Sequence, residues 1–399
     1  MNKMKKLKNN FNRLWVMAEP VLKERSRAYR MLVIVILALI INGLSISVIV
    51  TLCLRASEPI WDLLFYYGNL LGLYFDIFAP AGITLSHMSL LISLVPSKEE
   101  FSDNQKLNPY FITGFSDAES SFGVGVCNNN NLKTGKDVNV SFKIHLHTKD
   151  LELLNKFKSF FGVGGIYVKD NSATYAVRSI NDLANKIIPH FDKYPLLTQK
   201  RADFELFKLA VELLSKKEHL SEEGLCKIVS IKASMNKGLS SELVESFPNI
   251  TPIDRPQVKA TEIYDPSWLA GFVEGEACFY VGIFKSSTHK LGRVVSLKFQ
   301  ITQDSRDATL MKSLGCYLGC GRNKNPRGSV EDFVVEKLSD ITEKIIPFFD
   351  KYPLLGAKSR DYTDFKKVAM IMKDKGHLTE EGLEQIRLIK SGMNWGRSV

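Results

Sequence analysis

The sequence predicts an α+β protein built from two tandem copies of one unit, each a single sheet covered by helices on one face, behind a hydrophobic, helical N-terminal segment. Three observations predict it. The second half of the chain's polar part repeats the first in order and spacing, apolar residues within each copy switch between strand and helix periods, and residues 31–54 contain no charged side chain.

In chain order, the N-terminal segment comes first. Residues 31–54 are long and apolar enough to cross a bilayer as a helix, whereas a second apolar stretch, 63–95, is interrupted by Asp76, Pro80 and His87 and is the weaker candidate span. The basic flank ahead of them, from Lys3 to Arg30, reads as a signal anchor facing the side of synthesis. The same features fit an upstream reading frame fused in phase over residues 1–100, and both readings stand. Beyond about Pro96 the composition becomes that of an ordinary soluble protein.

There the repeat begins. NPYFITGFSDAESSFGVGV from Asn108 lies over DPSWLAGFVEGEACFYVGI from Asp265, and KIIPHFDKYPLLTQK from Lys186 lies over KIIPFFDKYPLLGAK from Lys344. HLSEEGL from His219 lies over HLTEEGL from His377, and IKASMNKG from Ile231 over IKSGMNWG from Ile389. The offset hardly drifts: Glu119 to Glu276 is 157 positions and Lys200 to Lys358 is 158. The copies span 105–240 and 265–399, and residues 241–264, holding FPNITPIDRP, read as a linker.

Each copy opens on a helix that Asn108 or Asp265 caps, with proline at its first position. Two strands follow, alternating through Phe122, Val124 and Val126 and then Phe142, Ile144 and Leu146. A helix from about Lys149, a glycine-rich turn at GVGG, two further strands and a run of helices complete the unit. One sheet face packs on the helices, and the other is free.

The formal net charge of +10 suits a nucleic-acid partner. Six cysteines without CxxC pairs and seven unclustered histidines predict reduced thiols and no structural metal. On the first helix of each copy, small residues lie four apart, Gly114 and Ala118 in one and Gly271 and Gly275 in the other, so the two helices can approach closely. Each helix then ends in an acid, Glu119 or Glu276. Two carboxylates at two helix C-termini repel each other and the helix dipoles, and a divalent cation with oxygen ligands, Mg²⁺ above all, relieves that penalty.

With the apolar strand residues facing inward, their neighbours line the free face. In the first copy these are Ser141, Lys143, His145 and His147, with Tyr167, Lys169, Thr174 and Arg178; in the second, Ser296, Lys298, Gln300 and Thr302, with Arg322, Lys324 and Glu336. Such side chains bond phosphates and base edges in the major groove. Two such sheets in tandem form one long saddle suited to an extended, asymmetric duplex. His145 and His147 share a face, but with no third ligand at hand they read as DNA contacts or plain exposure.

The motifs ITGFSDAES (112–120) and LAGFVEGEA (269–277) resemble the paired motifs of LAGLIDADG homing endonucleases of the single-chain, two-motif type, and the likeness covers nearly all of 105–399. It implies two pseudo-symmetric αββαββα units with a saddle-shaped antiparallel sheet surface. It further implies a monomer that makes a staggered double-strand break in double-stranded DNA, with Glu119 and Glu276 holding the metal. Asp117 and Glu274, two residues upstream, correspond to positions that are structural in the family. Lys200 and Lys358 stand where the family carries a basic residue near the active site. Gln303 matches a solvent-organising polar position, where the first copy departs from the pattern with Leu146. Alternatives are an intron RNA maturase that uses the same fold on its host intron RNA, and a membrane protein acting through residues 31–95 with the nuclease unit as passenger. The resemblance also suggests a mitochondrial setting.

Overall fold

A computed structural model of the chain describes residues 107–258, 262–324 and 328–394. The N-terminal segment and both candidate spans lie outside these residues; among the described residues no helix is long and apolar enough to cross a membrane. Both copies belong to one compact unit, Asp103–Val399.

In the first copy the order is α1 (Pro109–Glu119), β1 (Ser120–Asn128), β2 (Lys136–His147), α2 (Leu151–Phe161), β3 (Gly165–Lys169) and β4 (Ser172–Val177). Short helical segments from Ile180 to Lys193, then α3 (Lys200–Ser215) and α4 (Glu222–Ala233), complete it. The second copy repeats this with α6 (Pro266–Glu276), β5 (Ala277–Lys285), β6 (Arg293–Asp304), α7 (Ala308–Leu318), β7 (Arg322–Asn323), β8 (Val330–Val335), α8 (Lys358–Lys373) and α9 (Glu380–Ser391). Each copy forms an antiparallel sheet, in the orders β1-β2-β4-β3 and β5-β6-β8-β7.

The expected caps are present. Asn108 Oδ1 accepts from Tyr110 N at 2.8 Å and Asp265 Oδ1 from Ser267 N at 2.7 Å, each with proline at the start of its helix. Alternation then buries Phe122, Val124, Val140, Phe142 and Ile144 in one sheet and Phe279, Val281, Leu297, Phe299 and Ile301 in the other. The repeat extends to packing. Phe122 and Phe142 stack obliquely with ring centroids 5.3 Å apart, as Phe279 and Phe299 do, and Phe191 and Phe349 close on each pair. These aromatic contacts, rather than backbone pairing between copies, make two separate cores.

The linker is more structured than its composition suggests. It contains α5 (Ser241–Ser246), and its Phe247, Ile250 and Ile253 pack on the first copy's core. Arg255 then forms a two-pronged ion pair with Asp203 on α3, at 2.8 and 2.9 Å, and donates to the Ser234 carbonyl at 2.9 Å. The turn-forming residues predict a connection; the apolar residues between them make it adhere.

Candidate active site and nucleic-acid interface

Helices α1 and α6 cross in near backbone contact. A Cβ built on Gly114 would lie 1.9 Å from the Trp268 carbonyl oxygen, and one on Gly271 2.1 Å from that of Phe111, so no larger residue fits at this separation. A Cβ on Gly275 would meet the Ala118 Cβ at 2.3 Å and the Glu119 carboxylate at 3.3 Å. The small-residue stripe therefore brings the last residues of the helices together, and Glu119 comes within reach of Glu276. Burial, reinforced by the facing Glu119 charge, pushes the Glu276 carboxyl up to about 7.

The acids two residues upstream point the other way. Asp117, buried, accepts from Leu197 N at 2.9 Å, Thr198 N at 3.1 Å and Thr198 Oγ1 at 2.6 Å; across the copies it accepts from the Trp268 indole at 2.8 Å. Glu274 accepts from Leu355 N at 2.9 Å and Lys358 N at 3.1 Å. Burial raises both carboxyls above their ordinary range, although these donors oppose it. Both side chains fasten the start of the next long helix in their own copy, in keeping with a structural part.

Those helices, α3 and α8, begin with the two predicted lysines. Lys200 Nζ donates to the carbonyls of Ser116 at 3.0 Å and Ala118 at 3.1 Å, and Lys358 Nζ to those of Val273 at 3.1 Å and Gly275 at 2.7 Å. Each ammonium thus caps the negative end of its own copy's motif helix. Burial lowers both lysine pKa values. Among the carboxylates, the buried acid of its own copy, Asp117 or Glu274, acts most strongly on each lysine; of the two motif-end glutamates, Glu276 then acts more on Lys200 and Glu119 more on Lys358.

The two sites are thus crossed. A cleft of 520 Å³ brings Glu119, Leu146 and Asp150 of the first copy together with Gly275, Ala357 and Lys358 of the second. On the opposite side Gln303 Nε2 lies 3.4 Å from Glu276 Oε1, with Lys200 as the first-copy partner. Leu146 offers no such contact.

Strand register aligns the predicted strand residues in shared rows, although Ser141 is buried rather than on a free surface. In the first copy His145 pairs with Thr174 and Thr174 with Tyr167, with Lys143 and Lys169 in flanking rows. His145 Nδ1 lies 2.7 Å from Thr174 Oγ1, and the Arg178 guanidinium lies over the Tyr167 ring at 4.9 Å. In the second copy Lys298 lies beside Tyr280, Gln300 pairs with Val334, and Thr302 pairs with Asp332. Glu336 holds Arg322 at 2.7 Å and Lys324 at 3.6 Å.

Sequence reasoning missed four of the residues that organise these surfaces. Asp332 accepts from Gln300 at 2.8 Å and Thr302 at 2.6 Å, so the second face is more acidic than expected. Asp150 and Asp307 reach across to the other copy, and Trp268 satisfies Asp117. The two crossing aspartates occupy matching places in HTKD and DSRD, so the repeat marks them as a pair without marking the backbone each one reaches.

A sequence model described as LAGLIDADG endonuclease matches residues 112–211 and 269–369, one match per copy. The chain belongs to the LAGLIDADG endonuclease family. It is 40% identical over 308 residues to probable intron-encoded endonuclease 3 of Neurospora crassa, a match covering 74% of this chain and 57% of that protein. It is 41% identical over 303 residues to probable intron-encoded endonuclease 2 of the same organism, covering 72% and 65%. The chain thus spans less than two thirds of either Neurospora protein. Among solved structures, the LAGLIDADG fold is matched by I-SmaMI bound to uncleaved DNA in the presence of calcium ions, at 49% identity and TM-score 0.71, over 72% of this chain and 99% of that one. I-LtrWI bound to target DNA is similar at 45% identity and TM-score 0.71, over 73% and 98%.

Proposed function

We propose that this chain is a site-specific homing endonuclease that makes a staggered double-strand break in a long, asymmetric DNA target by metal-assisted phosphodiester hydrolysis. The observation that carries the reading is the meeting of Glu119 with Glu276 at a crossing of two helices, each acid having a lysine of the opposite copy as neighbour. I-SmaMI, similar over nearly its whole length, has also been solved bound to cleaved DNA.

The donor set fits a hard divalent cation. Two half-buried carboxylates face each other, and burial together with the facing charge raises one of them to about 7, so a shared positive charge stabilises the pair. Bound Mg²⁺ would supply charge neutralisation at the scissile phosphate and acidify its water. Glu119 and Glu276 hold that charge, one for each strand. Lys200 and Lys358, with pKa values lowered by burial, hold the water or the phosphate charge beside them. Gln303, next to Glu276, orients solvent at one site only.

The sheet faces supply the target. Lys143, His145, Tyr167, Lys169 and Arg178 make the first face basic and suit it to phosphates and guanine edges. Lys298, Gln300, Thr302, Arg322, Lys324 and Glu336, together with Asp332, give the second a mixed face suited to adenine and cytosine edges. Relatives described from ND4 intron 1 of Podospora anserina and cox1 intron 2 of Schizosaccharomyces pombe support an intron-encoded, mitochondrial origin.

The test is incubation of the chain with randomised duplex DNA and Mg²⁺, followed by sequencing of the ends. Discrete staggered ends are expected, and are lost in Glu119→Gln and Glu276→Gln. Tight binding to a structured intron RNA with no cut in any duplex overturns the reading.

A further inference from the structure

The helices that carry the lysines begin under a carboxylate from each copy. Asp307, at the start of α7 in the second copy, accepts from Gln199 N at 2.7 Å, immediately before Lys200. Asp150, in the matching place of the first copy, accepts from Ala357 N at 2.6 Å, immediately before Lys358. The exchange is reciprocal, and Asp307 is 6% exposed. Around Ala357 the two carboxylates nearly touch the same backbone: a Cβ on Gly356 would lie 2.8 Å from Asp150 Oδ1 and 2.7 Å from Glu274 Oε1. Each lysine-bearing helix is therefore fixed at its positive end by an acid of its own copy and an acid of the other.

The direction of the exchange matters. Asp307 belongs to the copy that supplies Glu276 and Gln303, and the helix it holds carries Lys200, which the repeat relates to Glu276 as Lys358 is related to Glu119 in their shared cleft. Asp150 belongs to the copy that supplies Glu119, and the helix it holds supplies Lys358 to the cleft that Glu119 lines. We propose that Asp150 and Asp307 are positioning residues, each registering the opposite copy's lysine against the glutamate of its own copy, so that each strand's cut depends on one aspartate. A backbone N–H has one direction, so a carboxylate on it sets both the height and the rotation of the first helical turn, where the lysine side chain starts. A general stabilising contact would make no such distinction between strands.

The proposal rests on the nuclease reading and predicts crossed phenotypes. The target recovered from the randomised pool is labelled on each strand, and single-turnover cutting of each strand is followed in Mg²⁺ on denaturing gels. Lys200→Ala and Lys358→Ala first assign the strands. Asp307→Ala is expected to slow the Lys200-dependent strand by about 10- to 100-fold, with the other strand within about 2-fold, since small misplacements of reacting groups cost that much. Asp150→Ala slows the Lys358-dependent strand instead. Asp307→Asn and Asp150→Asn, which keep an acceptor oxygen, recover most of the lost rate. Should Asp307→Ala fail to fold, Asp307→Glu is read in its place: it keeps the acceptor but displaces it by a methylene, and the same strand must slow. Equal slowing of both strands, slowing of the wrong strand, or no change in either overturns the proposal while leaving the nuclease reading intact. A chain that cuts no duplex sinks the nuclease reading and the proposal with it.

Discussion

The Gly114 Cα and the Trp268 carbonyl oxygen face each other so closely that a Cβ on Gly114 would sit 1.9 Å from that oxygen, well inside contact distance. The neighbour is backbone in the first turn of α6, so it cannot swing aside as a side chain would. Gly114→Ala must push the helices apart along their whole crossing. The expected loss is about 3 kcal/mol or more in urea unfolding. Ala118→Ser, beyond the tightest point, is expected to cost under about 1 kcal/mol. Comparable losses for the two would remove the close crossing as the reason for glycine.

Arg255 ties the linker to the first copy's α3 through Asp203, whose side chain is 8% exposed while that of the arginine is 34% exposed. Removing the cation leaves, among the described residues, a buried carboxylate with Asn236 N as its remaining donor. Arg255→Ala should destabilise by about 2 kcal/mol, the solvent-exposed side of the pair reducing the penalty of a fully buried one. Asp203→Asn together with Arg255→Ala should cost less than the sum of the two single changes. A strictly additive double-mutant cycle would mean the two side chains do not act as a pair.

How much of this was legible in the sequence depends on the range of each interaction. The two copies, their strands and the meeting of Glu119 with Glu276 follow from local period and from duplication, because a repeated small-residue stripe dictates its own partner. That Glu119 and Asp117 point to different sides also follows, since residues two apart on a helix face different ways. Asp332 is hidden because polar Glu331 shares the inward parity of Phe333 and Val335 while apolar Val334 shares the outward parity of Asp332, so the strand lacks the simple alternation that marks Gln300 and Thr302. The crossing contacts of Asp150 and Asp307 join residues 207 and 108 positions apart, and no local pattern reports such a pairing. The linker's docking was hidden for the same reason: its prolines are visible, but the groove it fills belongs to another part of the chain.

The two sites differ beside their glutamates, with Gln303 next to Glu276 and Leu146 lining the cleft of Glu119. An amide that orients solvent favours attack, and a leucine leaves that water to bulk disorder. The strand cut at the Glu276 site should therefore be nicked first, giving a transient single nick before the linear product. Gln303→Leu should slow that strand by about 10-fold and even out the two rates. Simultaneous cutting of both strands by the unaltered chain, at the earliest times, would argue that this amide has no part in the rate.

The raised carboxyl of Glu276 makes a pH dependence whose sign is fixed. Folded, it takes up its proton near 7; unfolded, near its ordinary 4.5. Between these values the folded state holds the extra proton, so the cation-free protein is most stable at the acid end of this window and loses stability as pH rises through it. Glu276→Gln removes the repulsion with Glu119 and should flatten this decline, stabilising the cation-free chain at pH 8 by about 1 to 2 kcal/mol after allowance for solvent screening. Mg²⁺ should do the same for the unaltered chain, because a shared cation favours the charged form, and should leave Glu276→Gln nearly unmoved. Cleavage should rise with pH toward 7, and its midpoint should move to lower pH as Mg²⁺ is increased, since cation and proton compete for one carboxylate. Thermal melts from pH 4.5 to 8, with and without Mg²⁺, measure the first effect and strand-cutting rates the second. A midpoint indifferent to Mg²⁺ concentration would separate Glu276 from the metal, and the catalytic assignment would then have to rest on Glu119 alone.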